Sequence, residues 1–183
     1  GVEMILDAAR SLAGQPIYFV ICGEGVAEAP LKSAAAGASN IRFLPLRPAN
    51  QLNALLNCAD IHLLPQRRGA ARSVFPSKLI GMLASGRPVV AMAEPGSEIS
   101  DLIEGCGTCV EHGDVEGFAN AIRSLAADKR ARERMGEQAR ARALEGFNQQ
   151  RVLTAMVAEL LRRLPLSHSA KATAQAGLRR APE

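Results

Sequence analysis

Aromatic residues are scarce in this chain: five Phe, one Tyr and no Trp among 183 residues. Too few flat faces are available for a base-stacking RNA platform or a carbohydrate-binding module, which excludes polymer recognition by stacking. Cysteine is sparse too, and of Cys22, Cys58, Cys106 and Cys109 two fall in apolar runs. That is how free thiols are used in a reducing compartment, so the chain reads as cytoplasmic. No apolar run approaches the roughly 20 residues of a membrane-spanning helix, and Gly1-Val2-Glu3-Met4 lacks a basic-then-apolar secretory pattern. Absent as well are His-Glu-x-x-His, Gly-x-Ser-x-Gly, a Walker loop and paired carboxylates at useful spacing, so no hydrolytic or kinase machinery is visible.

The 48% hydrophobic and 22% charged content is that of one soluble globular domain with a real core. Charge is divided unevenly: residues 1–122 sum to −3 and residues 123–183 to +7. A basic C-terminal third suits phosphate-rich partners or anionic headgroups, and equally a solvated helix face.

Apolar, β-branched runs alternate with amphipathic helices along the chain. Val2, Ile5, Leu6, Ala9 and Leu12 keep helical spacing up to Gly14 and Pro16. Residues 17–22 then form a continuous apolar run, the mark of a strand covered on both faces. The spacing predicts a helix over 26–36, a strand over 41–44, a helix over 51–58 and a strand over 61–64. A loop over 66–75 leads into a helix opening at Pro76-Ser77-Lys78 and closing at Gly86, followed by a strand over 88–92. A short helix at Ile99, a strand over 108–111, a helix at residues 118–126, an Arg-rich helix over 129–146 and an apolar helix ending near Leu164 complete it. Five such runs wire most simply as βαβ crossovers: an α/β, Rossmann-like doubly wound parallel sheet with helices on both faces, plus C-terminal helices. From Pro165 onwards composition predicts a disordered tail.

Open α/β sheets bind ligands outside the carboxyl ends of their strands, so the informative segments follow strands. Gly23-Glu24-Gly25 allows a phosphate to approach the backbone, but no third glycine and no ribose-binding acid complete a dinucleotide fingerprint; a tight turn is the plainer reading. Residues 67–78 join Arg67, Arg68 and Arg72 to a helix start with Lys78, the elements of an anion site. A basic surface loop would look similar. Cys106-x-x-Cys109 has no second Cys/His pair to complete a zinc site. His62 sits within an apolar strand as a core histidine would, His112 at a strand end and His168 in the tail.

Four segments taken together, residues 20–25, 40–45, 59–65 and 76–91, resemble the C-terminal, donor-binding half of GT-B fold, family 4 retaining glycosyltransferases. Within that group the Leu-Pro-Gln loop and the Ser-Val-Phe-Pro-Ser-Lys segment are most similar to bacterial exopolysaccharide enzymes of colanic-acid type. The resemblance implies transfer of a sugar from a nucleoside diphosphate sugar to a hydroxyl with retention, with no cofactor and no metal. It implies a donor domain over residues 1–164 lacking its first strand, with the acceptor domain absent and residues 165–183 as tail. By position it places the donor against Gly23, Glu24 and Gly25, the base against Pro45, Leu46 and Arg47, and the diphosphate against Ser73, Val74, Phe75, Ser77 and Lys78, with Gly81 near the ribose. No catalytic residue is identified. Two family glutamates, for donor hexose and ribose hydroxyls, are replaced here by Ser73 and Gly81.

The resemblance further implies that these residues alone bind nucleotide without transferring sugar, and that an open sheet edge favours a dimer or strand exchange. Arg130, Arg132, Arg134, Arg140 and Arg142, within a basic region spanning 123–151, become candidates for an anionic membrane surface carrying a lipid-linked acceptor at the cytoplasmic face. A nucleotide-sugar epimerase of related fold and a non-catalytic nucleotide-binding module stay open as alternatives; nucleic-acid binding rests on charge alone and is not expected.

Overall fold

The computed structural model describes residues 1–66 and 75–163. It divides into two compact units, residues 1–141 and 142–183. Among the described residues the first contains five strands: β1 (Phe19–Cys22), β2 (Ile41–Leu44), β3 (His62–Leu64), β4 (Val89–Met92) and β5 (Gly107–Val110). Its helices are α1 (Glu3–Ser11), α2 (Glu28–Ala34), α3 (Leu52–Asn57), α4 (Lys78–Ala84), α5 (Glu98–Ile103) and α6 (Val115–Ala127), with a 3-10 turn at Ala49–Gln51. Helix α7 (Lys129–Gly146) runs across the division, and α8 (Gln149–Arg163) belongs to the second unit. There Arg162 and Arg163 both pair with Glu159 and hold its carboxyl below the usual range. The tail expected from residue 165 lies outside the described residues.

All pairings are parallel, in registers Phe19↔Ile41, His62↔Val89 and Val89↔Gly107. Parallel neighbours need crossover connections, which α2, α4 and α5 supply. The α/β class with parallel strands and helices on both faces is as expected; β1–β2 make one sheet and β3–β4–β5 another. Among the described residues no strand bridges β1 and β3. The expectation that residues 17–22 are covered on both faces is corrected for the same reason. Phe19 is buried, but Val20 on the opposite face is 51% exposed and Tyr18 72%.

Helix α1 fixes how the two sheets relate. At its start Gly1 packs on the chain leaving β3, so closely that a Cβ there would lie 3.1 Å from the Pro65 carbonyl oxygen. At its end the Ala9 carbonyl accepts a 2.8 Å bond from the buried Asn40 side chain, and Asn40 immediately precedes β2. The Asn40 carbonyl in turn accepts from Phe19 N–H, the first residue of β1. A nine-residue helix spans about 13 Å, the length of a four-residue strand. It therefore runs from the carboxyl end of β3 to the amino ends of β1 and β2, which puts the carboxyl ends of all three strands on one side.

Ile5, Leu6, Ala9 and Leu12 of α1 pack with Phe118, Ile122 and Leu125 of α6 against Phe19, Ile41, Val90 and Met92, joining both sheets in one core. Side chains alternate faces along a strand, and Val89 and Ala91, on the other face of β4, are buried as well. Helix starts are set locally: the Ser97 hydroxyl accepts from Ser100 N–H and the Asp114 carboxylate from Gly117 N–H.

Candidate functional site

Three chain segments leave strands on the side defined above. The exits of β1 and β2 are tied together: Gly23 N–H donates to the Leu44 carbonyl at 3.3 Å, and the Cys22 thiol donates to the Pro45 carbonyl at 3.3 Å. Gly23 and Gly25 have φ of 152° and 153°, and a Cβ at either would meet nothing within 4 Å. Backbone conformation, not space, is what calls for glycine there. Glu24 and Gly25 are exposed, as are Pro45, Leu46 and Arg47. The structure thus brings together six of the residues expected to touch donor and base.

The third segment leaves β3 through Pro65 and Gln66. Ser73 and Val74 lie outside the described residues. Beyond them Phe75 is half-buried and Ser77 and Lys78 are exposed at the start of α4. Leu79 N–H donates to the Pro76 carbonyl, Ser77 has helical backbone (φ −53°, ψ −27°), and its hydroxyl caps nothing. The first turn carries no acidic residue, so Lys78 stands at a helix start whose dipole favours an anion. Gly81 is half-buried one turn on, where an added Cβ would meet only the Leu56 side chain, at 3.4 Å. Helix α4 ends at Gly86, in left-handed conformation (φ 70°), as the sequence suggested.

The basic face expected on α7 is partly spoken for. Arg132 donates to the Leu125 and Ala126 carbonyls at 2.6 and 2.7 Å, and Arg140 to the Ala84 carbonyl at 2.7 Å. These are last-turn carbonyls of α6 and α4, which have no partners within their own helices. Around them a cleft of about 330 Å3, lined also by Asp60, Arg87, Lys129 and Gly136, lies before β3 and β4, at the opposite strand ends from the candidate site. Two of the arginines singled out as membrane contacts therefore serve the fold, while Arg130 and Arg134 are exposed.

Cys106 is buried; Cys109 is more open, its thiol donating to the Ala93 carbonyl at 3.5 Å while burial pushes its pKa up. Among the described residues no three His, Cys, Asp or Glu side chains are grouped to hold a metal ion, and no helix is long and apolar enough to cross a membrane.

Sequence reasoning placed His112 only at a strand end. Its Nδ1 lies 2.9 Å from the Gln66 carbonyl oxygen, 46 residues away in sequence, while its Nε2 is buried without a partner. The ring also lines a space of about 250 Å3 with Ala93, Glu94, Pro95 and Glu111, over the exits of β4 and β5. Only the strand order brings Gln66 and His112 together; no local sequence signal marks the pair.

Residues 1–128 match the model of the family described as glycosyl transferases group 1. WcaI of Escherichia coli (strain K12), described as a colanic acid biosynthesis glycosyl transferase, is 41% identical over 128 residues, 67% of this chain and 31% of that protein. WcaL of Salmonella typhimurium, with a similar description, is 27% identical over 83% of this chain and 39% of its own. The chain spans about a third of the length of the curated relatives it matches. Among solved structures, Anabaena Alr3699/HepE in complex with UDP-glucose superposes with a TM-score of 0.70 at 21% identity, over 90% of this chain and 45% of that one. TarM of S. aureus, solved with UDP, also reaches 0.70 at 17% identity, over 86% and 32%. At such identities the likeness is one of fold, shared with GT-B glycosyltransferases. By its family match, this chain belongs to the glycosyl transferases of group 1.

Proposed function

We propose that this chain is the donor-binding half of a glycosyltransferase that moves a sugar, with retention, from a nucleoside diphosphate sugar to an acceptor hydroxyl in bacterial polysaccharide biosynthesis. The observation that carries the reading is the common side on which β1, β2 and β3 end. It gathers the Gly23–Gly25 turn, the exposed Pro45-Leu46-Arg47 loop and the start of α4 at Lys78. The backbone N–H groups and Lys78 face the charge of a diphosphate, and the β2 exit lies against the base. A neighbour of this fold solved with UDP-glucose supports a nucleotide sugar as the donor class. The acceptor and the groups that complete transfer lie outside these residues in this reading, so the chain by itself binds donor without turnover.

Titration of the chain with UDP, GDP, ADP and their sugar conjugates by ligand-observed NMR tests this. One nucleotide binds selectively, and Lys78→Ala weakens it. Absence of binding to every nucleotide overturns the reading for the isolated chain. A non-catalytic nucleotide-binding module is the second reading, favoured by the side-chain-free Gly81 where the family motif carries a ribose-binding carboxylate. Turnover by a longer protein containing this chain would dismiss it.

The acceptor in this proposal is lipid-linked, at the inner face of the cytoplasmic membrane, with Arg130 and Arg134 as the exposed cations of α7 nearest the role. Stronger binding to anionic than to neutral vesicles is expected; equal binding removes the electrostatic attraction.

A further inference from the structure

The exits of β1 and β2 carry two charges of opposite sign, Glu24 and Arg47. Glu24 is next to Gly23, whose N–H donates to the Leu44 carbonyl, and Arg47 is two residues beyond Pro45, whose carbonyl accepts from the Cys22 thiol. Those two bonds hold the exits side by side. The turn that carries Glu24 is fixed on its far side as well, where the Gly25 carbonyl accepts from Glu28 N–H at 2.9 Å. Neighbouring charges are satisfied: Glu28 pairs with Lys32 at 2.6 Å, and Arg42 donates to the Ser39 and Ile41 carbonyls. Glu24 and Arg47 are exposed, and among the described residues neither makes a hydrogen bond or ion pair, with the other or with any third group.

A carboxylate in this turn works against a diphosphate, since like charges repel. It suits a part of the ligand that offers donors, and two adjacent donors match its two oxygens best. Arginine presents the converse, a fork of N–H groups that fits two adjacent acceptors. Of the common nucleobases only guanine carries both: N1–H beside the 2-amino group on one edge, O6 beside N7 on another. Uracil sets a single N3–H between two carbonyls, while adenine and cytosine place a ring acceptor beside the amino group. Against those three a carboxylate meets an acceptor together with its donor.

We infer that Glu24 and Arg47 select guanine, so that the donor is a guanosine diphosphate sugar. Glu24 accepts from N1–H and the 2-amino group, and Arg47 donates to O6 and N7. The inference rests on the nucleotide-binding reading above and adds to it the identity of the base.

The experiment titrates the 183-residue chain and its Glu24→Gln and Arg47→Gln variants with GDP, inosine diphosphate, UDP and ADP. Both side chains are exposed, so the variants keep the fold, which circular dichroism checks. In wild type GDP binds at least about tenfold more tightly than UDP or ADP. Inosine diphosphate, which lacks only the 2-amino group, falls between. Glu24→Gln removes about tenfold or more of the affinity for GDP, narrows the gap between GDP and inosine diphosphate, and leaves UDP and ADP unchanged. Arg47→Gln weakens GDP and inosine diphosphate alike. Tighter binding of UDP or ADP than of GDP overturns the inference. So does a Glu24→Gln variant that weakens every nucleotide equally, which would put the carboxylate on the ribose, or one that weakens none. An Arg47→Gln variant that weakens all four equally places the arginine on phosphate and overturns its share in reading the base. Failure of the parent reading looks different, because there wild type itself binds no nucleotide; the choice of base then falls with it.

Discussion

The Nε2 atom of His62 lies 2.9 Å from the Ser85 hydroxyl, linking β3 to the end of α4. That hydroxyl also lies 2.6 Å from the Met82 carbonyl, and a ring N–H donates to the backbone of Leu56. His62 is 8% exposed, and burial, with the Arg87 guanidinium adding to it, lowers its pKa to about 4. The buried ring is thus neutral at ordinary pH and resists the proton that an unfolded chain would take up.

The consequence is a pH-dependent stability of definite sign. Between the unfolded value of 6.5 and the folded value of about 4, the unfolded state binds more protons, so stability falls as pH falls through that window. Fully expressed, such a shift is worth on the order of 3 kcal/mol. Urea denaturation at pH 7.5, 6, 5 and 4 should show this loss, and His62→Phe should flatten the slope over the same range. Equal slopes in the two proteins would show that other groups carry the pH dependence.

Gly136 of α7 packs against the left-handed turn that ends α4. An added Cβ would lie 2.2 Å from the Gly86 carbonyl oxygen, a backbone atom that cannot swing aside. Gly136→Ala therefore has to lift α7 away, straining the Arg140 bond to Ala84, and should cost about 1–3 kcal/mol. Gly146→Ala, where a Cβ meets nothing within 4 Å, is the control and should be neutral or slightly stabilising. Thermal melts of the two variants check the contrast.

Much of the fold was legible in the sequence because the signals are local. The 41–44 and 129–146 elements match residue for residue, since apolar runs and helical spacing are properties of adjacent residues. The glycine turn and the α4 start were legible for the same reason. What escaped notice depends on residues far apart: His112 with Gln66, Asn40 with Ala9, and Arg140 with Ala84. An arginine that caps a helix 56 residues away has the same spacing as one facing solvent, so α7 read as more available than it is. No run in the chain marks the division of the sheet by itself, because those at β1 and β3 look like any buried parallel strand; only the expectation of a missing first strand and an open edge pointed toward it.

Among the described residues that division leaves β1 and β3 each paired along one edge only. An open edge beside the apolar, half-exposed Val20 invites pairing with another chain. Sedimentation of the 183-residue chain should find dimers or larger species that grow with concentration, and Val20→Lys should shift them toward monomer. A monomer at every concentration would count against self-association through this edge.

Gly81→Glu tests whether the replaced family glutamate matters. The half-buried site has space, because a Cβ would meet only the Leu56 Cδ1 at 3.4 Å, and the helix interior should gain up to about 1 kcal/mol from losing a glycine. A carboxylate accepting ribose hydroxyls adds charge-assisted bonds worth roughly 1.5–3 kcal/mol. Nucleotide affinity should therefore rise tenfold or more in Gly81→Glu, with a smaller rise in Gly81→Gln and no change in Gly81→Ala, although all three raise the melting temperature. Stability gains in all three without any gain in affinity would mean that the ribose does not lie beside α4. Equal affinity gains in all three would credit a firmer helix rather than the carboxylate.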